Sequence, residues 1–209
     1  PAHAATSELV AKAISRAISK CNMPIGVFNL LQAASPDASY TLVQHPYVKA
    51  VGFTGSFKVG TLLANLCASR SEPIPFYGEL GSSNPQFLLS NKLNKEAEKL
   101  ASEQADSMLM GYGQFCTSPG TIVALESSAL DRYMSTIAER ISATPANAML
   151  TLSIATQYQH QLEQISKVKG LQIIAQGSSS KESHFTQATI IKVSAEAYLT
   201  TPELQQEIF

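Results

Sequence analysis

The stretch Gly113-Gln114-Phe115-Cys116-Thr117-Ser118-Pro119-Gly120 holds one cysteine in a glycine-flanked turn, between a long helix-like run ending near Met110 and the apolar run Thr121-Ile122-Val123-Ala124-Leu125. A thiol held in such a turn can be reached by a substrate, and its thiolate is a strong nucleophile. The other reading of Cys116 is a packed, inert cysteine, because an unpaired Cys often behaves as a small buried hydrophobe. Upstream, Phe76-Tyr77-Gly78-Glu79-Leu80-Gly81 sets a carboxylate between an aromatic run and glycines that let the backbone come close to a neighbour. Partial burial there disfavours the charged form and suits Glu79 to accept a proton as a general base; a solvated loop glutamate is the alternative. Further upstream again, a strand over Val48–Phe53, a turn at Thr54-Gly55-Ser56 and a helix over Val59–Cys67 aim free backbone N–H groups and a positive dipole end at one point. Such a point suits a phosphate, although a plain strand-to-helix turn capped by Ser56 explains the same residues. It is neither a Walker loop nor a GxGxxG fingerprint.

The elements that must carry these residues follow from periodicity and punctuation. Thr6 caps a helix whose apolar stripe runs through Leu9, Val10, Ala13, Ile14, Ala17, Ile18 and Cys21, so Cys21 is expected in the core; the helix stops at Asn22-Met23-Pro24. Gly26-Val27-Phe28-Asn29-Leu30-Leu31 reads as a short buried strand, and a weak helix after the loop Pro36–Ser39 stops at His45-Pro46. Cys67 falls on the apolar face of the helix after Ser56. Pro73 and Pro75 force an extended crossing into the Glu79 segment, Ser82-Ser83-Asn84-Pro85 is a turn, and Gln86–Leu89 is a strand. A long helix over Leu93–Met110 packs a stripe through Leu93, Ala97, Leu100, Ala101, Ala105, Met108 and Leu109, and Gly111-Tyr112-Gly113 breaks it to deliver Cys116. After the Thr121–Leu125 strand, Ser127-Ser128 starts a helix with Tyr133, Ile137 and Ile141 inward. A helix over Tyr158–Val168, a strand Leu171–Ile174, a polar loop Ser178–Lys181 and a strand Ala188–Val193 follow. Helices alternating with strands predict an α/β architecture.

Composition narrows the function. The chain has 209 residues, 44% hydrophobic and 15% charged, with a formal charge of −1 and no basic stripe. That speaks against nucleic acid as a partner. There is no apolar run long enough to span a membrane and no signal-peptide pattern. The three cysteines Cys21, Cys67 and Cys116 are odd in number and widely spaced, which argues against a disulfide framework or a CxxC metal site. The four histidines, His3, His45, His160 and His184, show no metal-ligand spacing, so no metal is expected. A reducing, cytoplasmic setting follows.

Taken together, Phe53-Thr54-Gly55-Ser56, Glu79-Leu80-Gly81 with Asn84-Pro85, Gly113-Gln114-Phe115-Cys116 and the terminal Glu207-Ile208-Phe209 stand in an order that resembles the aldehyde dehydrogenase superfamily. Within it, Pro75–Gly81 and Phe115–Gly120 look most like the branch that oxidises α-ketoglutarate semialdehyde (2,5-dioxovalerate). The resemblance implies the end of a Rossmann-like NAD(P)-binding domain over residues 1–78, followed over 79–209 by most of an α/β catalytic domain. It also implies that the chain covers the middle of the family's length. Cys116 matches the nucleophile that forms a thiohemiacetal and then a thioester, and Glu79 matches the general base. Gly55 and Ser56 match the phosphate-contacting helix start, and Glu207 matches the carboxylate that holds the nicotinamide ribose of NAD or NADP. The backbone N–H of Cys116 would supply half of an oxyanion hole. Its other half, a side-chain Asn, and a Lys for the adenosine ribose would lie upstream of Pro1. Losing one oxyanion donor costs roughly 10²- to 10³-fold in rate, so this polypeptide alone is expected to be poorly active. Full-length members are expected to be homo-oligomers acting on small aldehydes. If Glu79 and Cys116 share a site, both should open on one cleft.

Two other readings stand beside this one. A noncatalytic or structural member of the family would keep the fold and do no chemistry. A cysteine hydrolase or acyltransferase would need His160 or His184 within hydrogen-bond reach of the Cys116 sulfur.

Overall fold

A computed structural model describes residues 3–208, so Phe209 of the terminal motif lies outside the described residues. The chain divides into two compact units, one up to Leu80 and one from Gly81. Glu79 therefore belongs to the first.

The first unit opens with α1 (Ala4–Lys20) and α2 (Asp37–Gln44). The strand, turn and helix predicted around Gly55 are present as β1 (Val51–Thr54) and α3 (Phe57–Ala68), and the extended crossing after them ends in a further strand, β2 (Phe76–Glu79). The strands pair in parallel, Val51 opposite Phe76 and Thr54 opposite Glu79. A parallel pair needs a crossover, and α3 is that crossover. Its Leu63 and Cys67 pack with Val43 and Ile74, joined by Phe53, Leu66 and Phe76. Cys67 is 1% exposed, as its place on the helical stripe predicted.

Two expectations fail in this unit. α1 begins at Ala4, not at a Thr6 cap, and none of its residues is buried; Cys21, just beyond it, is exposed rather than core. A stripe shows which face a helix can bury; here Ile14 and Ile18 are half-buried and the rest of the stripe is exposed. The Gly26–Leu31 strand is absent: those residues form turns and irregular, mostly exposed chain. A strand is stabilised by its neighbour, and among the described residues none pairs there.

The second unit begins with a second parallel strand-helix-strand element: β3 (Pro85–Leu88), α4 (Ser90–Leu109) and β4 (Thr121–Ala124), with Pro85 opposite Thr121. α5 (Ser128–Ser142) follows, and the Ser127 hydroxyl caps it by accepting from the Leu130 N–H at 3.2 Å. The core is where the two helices meet. Leu93, Ala97, Ala101 and Ala105 of α4 face Ala129, Tyr133, Ile137 and Ile141 of α5. The small residues of α4 let the helices approach closely, and the α5 stripe fills the space with larger side chains. Arg132 to Glu98 and Arg140 to Asp106 tie the exposed edges of the pair.

The rest of the unit is β5 (Asn147–Ala148), α6 (Leu152–Ile165), β6 (Gln172–Gln176), β7 (Phe185–Thr186), β8 (Thr189–Lys192) and α7 (Ala195–Thr200). β5 pairs with β7 and β6 with β8, both antiparallel, and Ala175 of β6 joins the α4–α5 core. α6 starts earlier than the predicted Tyr158, because the Thr151 hydroxyl accepts from the Ile154 N–H and caps it there. Among the described residues, no helix is long and apolar enough to cross a membrane.

Candidate functional site

In the first unit, parallel pairing brings the carboxyl ends of β1 and β2 together, the edge at which α/β sheets hold ligands. The Gly55 N–H donates to the Glu79 carbonyl oxygen at 3.1 Å, so the predicted phosphate turn and the predicted base are neighbours. A Cβ on Gly55 would stand 2.6 Å from the ring of Phe53, so any larger residue here would have to displace that ring. Ser56 is extended and caps α3, its hydroxyl accepting from the Val59 N–H at a long 3.4 Å. The first turn of α3 holds no acidic residue and carries Lys58. That donor set of helix N–H groups, hydroxyl and nearby cation fits a phosphate. Glu79 departs from expectation, because its side chain is exposed and the partial burial anticipated from its aromatic and glycine neighbours is not present. Those neighbours point elsewhere: Tyr77 is itself exposed, and Phe76 joins the core behind the strand.

In the second unit, the Cys116 loop is built by an abrupt reversal at the end of α4. Gly111, Tyr112 and Gly113 take φ values of 57°, 58° and 77°, the left-handed region. Glycine adopts this freely, but a bulky tyrosine does so at a cost on the order of 1–3 kcal/mol, held in place by its surroundings. The Phe115 ring packs against Gly111, where a Cβ would meet it at 2.6 Å. Gln114 ties the reversal down: its N–H donates to the Gly111 carbonyl at 3.2 Å, and its side-chain oxygen accepts from the Leu150 N–H at 2.7 Å. The Ser118 N–H donates to the Phe115 carbonyl at 3.0 Å, which makes Cys116 and Thr117 the central residues of a tight turn.

Cys116 is exposed, as its turn predicted, and the inert buried reading does not apply to it. Its carbonyl accepts from the Ser82 hydroxyl at 3.1 Å and from the Asn84 side-chain amide at 2.8 Å. The same amide donates to the Ser118 carbonyl at 2.9 Å, and the Gly120 N–H donates to the Ser83 carbonyl at 3.1 Å. The sequence marks residues 82–85 as a turn and Asn84-Pro85 as part of the family motif, with no sign of a contact to the Cys116 loop. The signal was an Asn ahead of Pro, a residue type whose side chain often bonds nearby backbone, but its target lies across the sheet.

Glu207 follows a 3₁₀ turn over Pro202–Gln205; its side chain is exposed, and its carbonyl accepts from the Gln161 amide at 3.1 Å. Neither histidine of the hydrolase reading bonds the Cys116 sulfur among the described residues. His160 meets Gln164 at 3.3 Å, and His184 meets Glu182 at 3.7 Å. No group of three or more His, Cys, Asp or Glu among the described residues could hold a metal ion.

The sequence pattern of the aldehyde dehydrogenase family matches residues 3–209. The chain belongs to that family. Alpha-ketoglutaric semialdehyde dehydrogenase 2 of Azospirillum brasilense is 37% identical over 208 residues, all of this chain and 40% of that protein. Alpha-ketoglutaric semialdehyde dehydrogenase of Acinetobacter baylyi is 35% identical over 99% of this chain and 39% of its own length. The chain thus spans about two fifths of these aldehyde dehydrogenases. The aldehyde dehydrogenase fold is also the one found in solved structures. An NAD-dependent benzaldehyde dehydrogenase from Corynebacterium glutamicum superimposes with a TM-score of 0.74 at 20% identity, covering 93% of this chain and 42% of that one. Proline utilization A of Bradyrhizobium japonicum gives 0.79 at 16% identity, covering 97% of this chain and 21% of that one.

Proposed function

We propose that this chain carries the nucleophile and part of the cofactor site of an enzyme that oxidises an aldehyde to a carboxylic acid with NAD or NADP. The observation that carries the reading is an exposed Cys116 at the centre of a tight turn whose carbonyls are held from outside the loop, in a chain of the aldehyde dehydrogenase family. Glu79 takes the proton of the thiol. The Cys116 thiolate then attacks the aldehyde carbon to give a thiohemiacetal, whose oxyanion the Cys116 backbone N–H helps to hold. Loss of hydride from that carbon leaves a thioester. Glu79 passes the thiol's proton to solvent and then takes one from a water, which attacks the thioester carbon; the C–S bond breaks, the carboxylic acid leaves, and the Cys116 thiolate takes the proton back from Glu79 to restore the thiol. Bound NAD(P)+ supplies the hydride acceptor.

The start of α3, with Gly55 and Ser56, fits the dinucleotide phosphates, and Glu207 is the candidate for the nicotinamide ribose. Residues 1–78 would then finish the dinucleotide-binding domain and 79–209 supply most of the catalytic domain. α-Ketoglutarate semialdehyde is the proposed substrate, because two relatives matched over 99–100% of this chain carry that activity in their names. The working enzyme is proposed to be a cytoplasmic homo-oligomer.

A noncatalytic role is the second reading, favoured by the exposed side chain of Glu79, which lacks the apolar cover expected of a general base. The test is nicotinamide reduction by the intact natural polypeptide with α-ketoglutarate semialdehyde and each dinucleotide. Turnover lost in Cys116→Ala and strongly reduced in Glu79→Gln is the expected result. No turnover by wild type on this or simple aldehydes would leave the noncatalytic reading.

A further inference from the structure

We propose that Asn84 is a positioning residue for Cys116, setting the direction of the thiol through the main chain of the nucleophile itself. This rests on the reading of Cys116 as nucleophile. A carboxamide nitrogen carries two hydrogens, and here they serve two carbonyls of one turn, Cys116 at 2.8 Å and Ser118 at 2.9 Å. The Ser82 hydroxyl adds a second donor to the Cys116 oxygen at 3.1 Å. Because the peptide is planar, holding that oxygen fixes the whole Cys116–Thr117 peptide unit and the ψ angle of Cys116. The direction of the Cα–Cβ bond, the axis from which the thiol projects, is then set against the rest of the turn.

The donor is itself anchored. Asn84 takes a φ of 40°, a left-handed state that asparagine tolerates well, and Pro85 directly after it opens β3. The register that puts Pro85 opposite Thr121 ties the Asn84 segment to the strand that leaves the Cys116 loop, and the Gly120 to Ser83 hydrogen bond closes the same junction. Donor and acceptor thus hang from adjacent strands of one sheet. Ser82 has no such anchor: it is exposed and makes a single bond to the loop, so Asn84 dominates.

The left-handed backbone decides which variants are informative. Alanine would be strained at this φ, whereas Asn84→Gly removes the amide and keeps the backbone, and Asn84→Asp keeps both the shape and the tolerance while losing both donors. In the intact enzyme, each should lower kcat by about 100-fold, the scale of an ångström-sized misplacement of a reacting group. KM for aldehyde and dinucleotide should stay within about threefold, and the melting temperature should move by only a few degrees. Alkylation of Cys116 by iodoacetamide at one pH, followed by mass spectrometry, gives a second readout: the rate per folded molecule should change in both variants because the thiol is presented differently. Two results overturn the proposal: kcat within about threefold of wild type in both variants, or a collapse of melting temperature with kcat per folded molecule preserved. Cys116→Ala in the same assay separates the two ideas. If that variant keeps turnover, the nucleophile reading fails; if it loses turnover while the Asn84 variants keep theirs, only the positioning role fails.

Discussion

The backbone N–H of Gly55 donates to the carbonyl oxygen of Glu79 at 3.1 Å, so the turn that opens α3 and the last residue of β2 are held together at one edge of the first unit. The main chain of Glu79 is used for this tie, which leaves its carboxylate, exposed and with no ion pair among those formed by the described residues, available for chemistry.

Gly55→Ala should damage this edge. The added methyl would meet the Phe53 ring at 2.6 Å, and Phe53 packs on the core around Leu63 and Cys67. Displacing a packed ring costs about 1–3 kcal/mol. Urea unfolding should show a loss in that range; a variant as stable as wild type would mean that the ring swings aside freely.

Ser56→Ala separates capping from cofactor binding. At 3.4 Å the hydroxyl is a weak cap, so stability should fall by no more than about 0.5 kcal/mol. A hydroxyl bonded to a phosphate contributes about 1.5 kcal/mol or more, which raises the dinucleotide Kd by about tenfold or more. Calorimetric titration with NAD+ and NADP+ against a melting curve reads both. An unchanged Kd would remove Ser56 from the cofactor site.

What was legible in the sequence was local. The Gly55-Ser56 turn, the Gly111–Gly113 break and the Tyr133, Ile137, Ile141 stripe depend on neighbours within a few residues, and glycine, proline and helical spacing report them directly. The Gly26–Leu31 strand and the burial of Cys21 depended on what lies against those segments, which no local pattern carries. The same holds at the candidate site. The exposure of Cys116 follows from its turn, but the grip of Asn84 on it joins residues 32 apart, and the side chain of Glu79 lies open despite its apolar neighbours. Tyr112 gave no warning of a left-handed backbone, because tyrosine is not a residue that favours it.

Ile141 of α5 is fully buried, at 0% exposure, in the cluster it forms with α4 and with Ala175 of β6. Ile141→Ala should therefore cost about 2–5 kcal/mol, the range for a core truncation that leaves a cavity. Urea unfolding of the second unit's signal checks this. A loss under about 1 kcal/mol would show that the helices close over the gap.

Tyr133 makes the core sensitive to alkali. Its hydroxyl is buried without a hydrogen-bond partner among the described residues, and burial pushes the phenol from its ordinary 10.0 up to about 12. The folded state thus disfavours the phenolate relative to the unfolded chain. Stability is fully present below pH 10.0 and is lost as pH rises from there through about 12. Tyr133→Phe removes both the unpaired hydroxyl and the titration. At neutral pH it should be as stable as wild type or more stable by about 1 kcal/mol, since no bond is broken and a buried polar group is relieved. Its advantage should widen as the solution is taken from neutral pH into that alkaline window, read as the difference in urea midpoint between the two proteins. Equal alkaline losses in both would mean that the Tyr133 hydroxyl reaches solvent, or a partner, in the protein as it exists in solution.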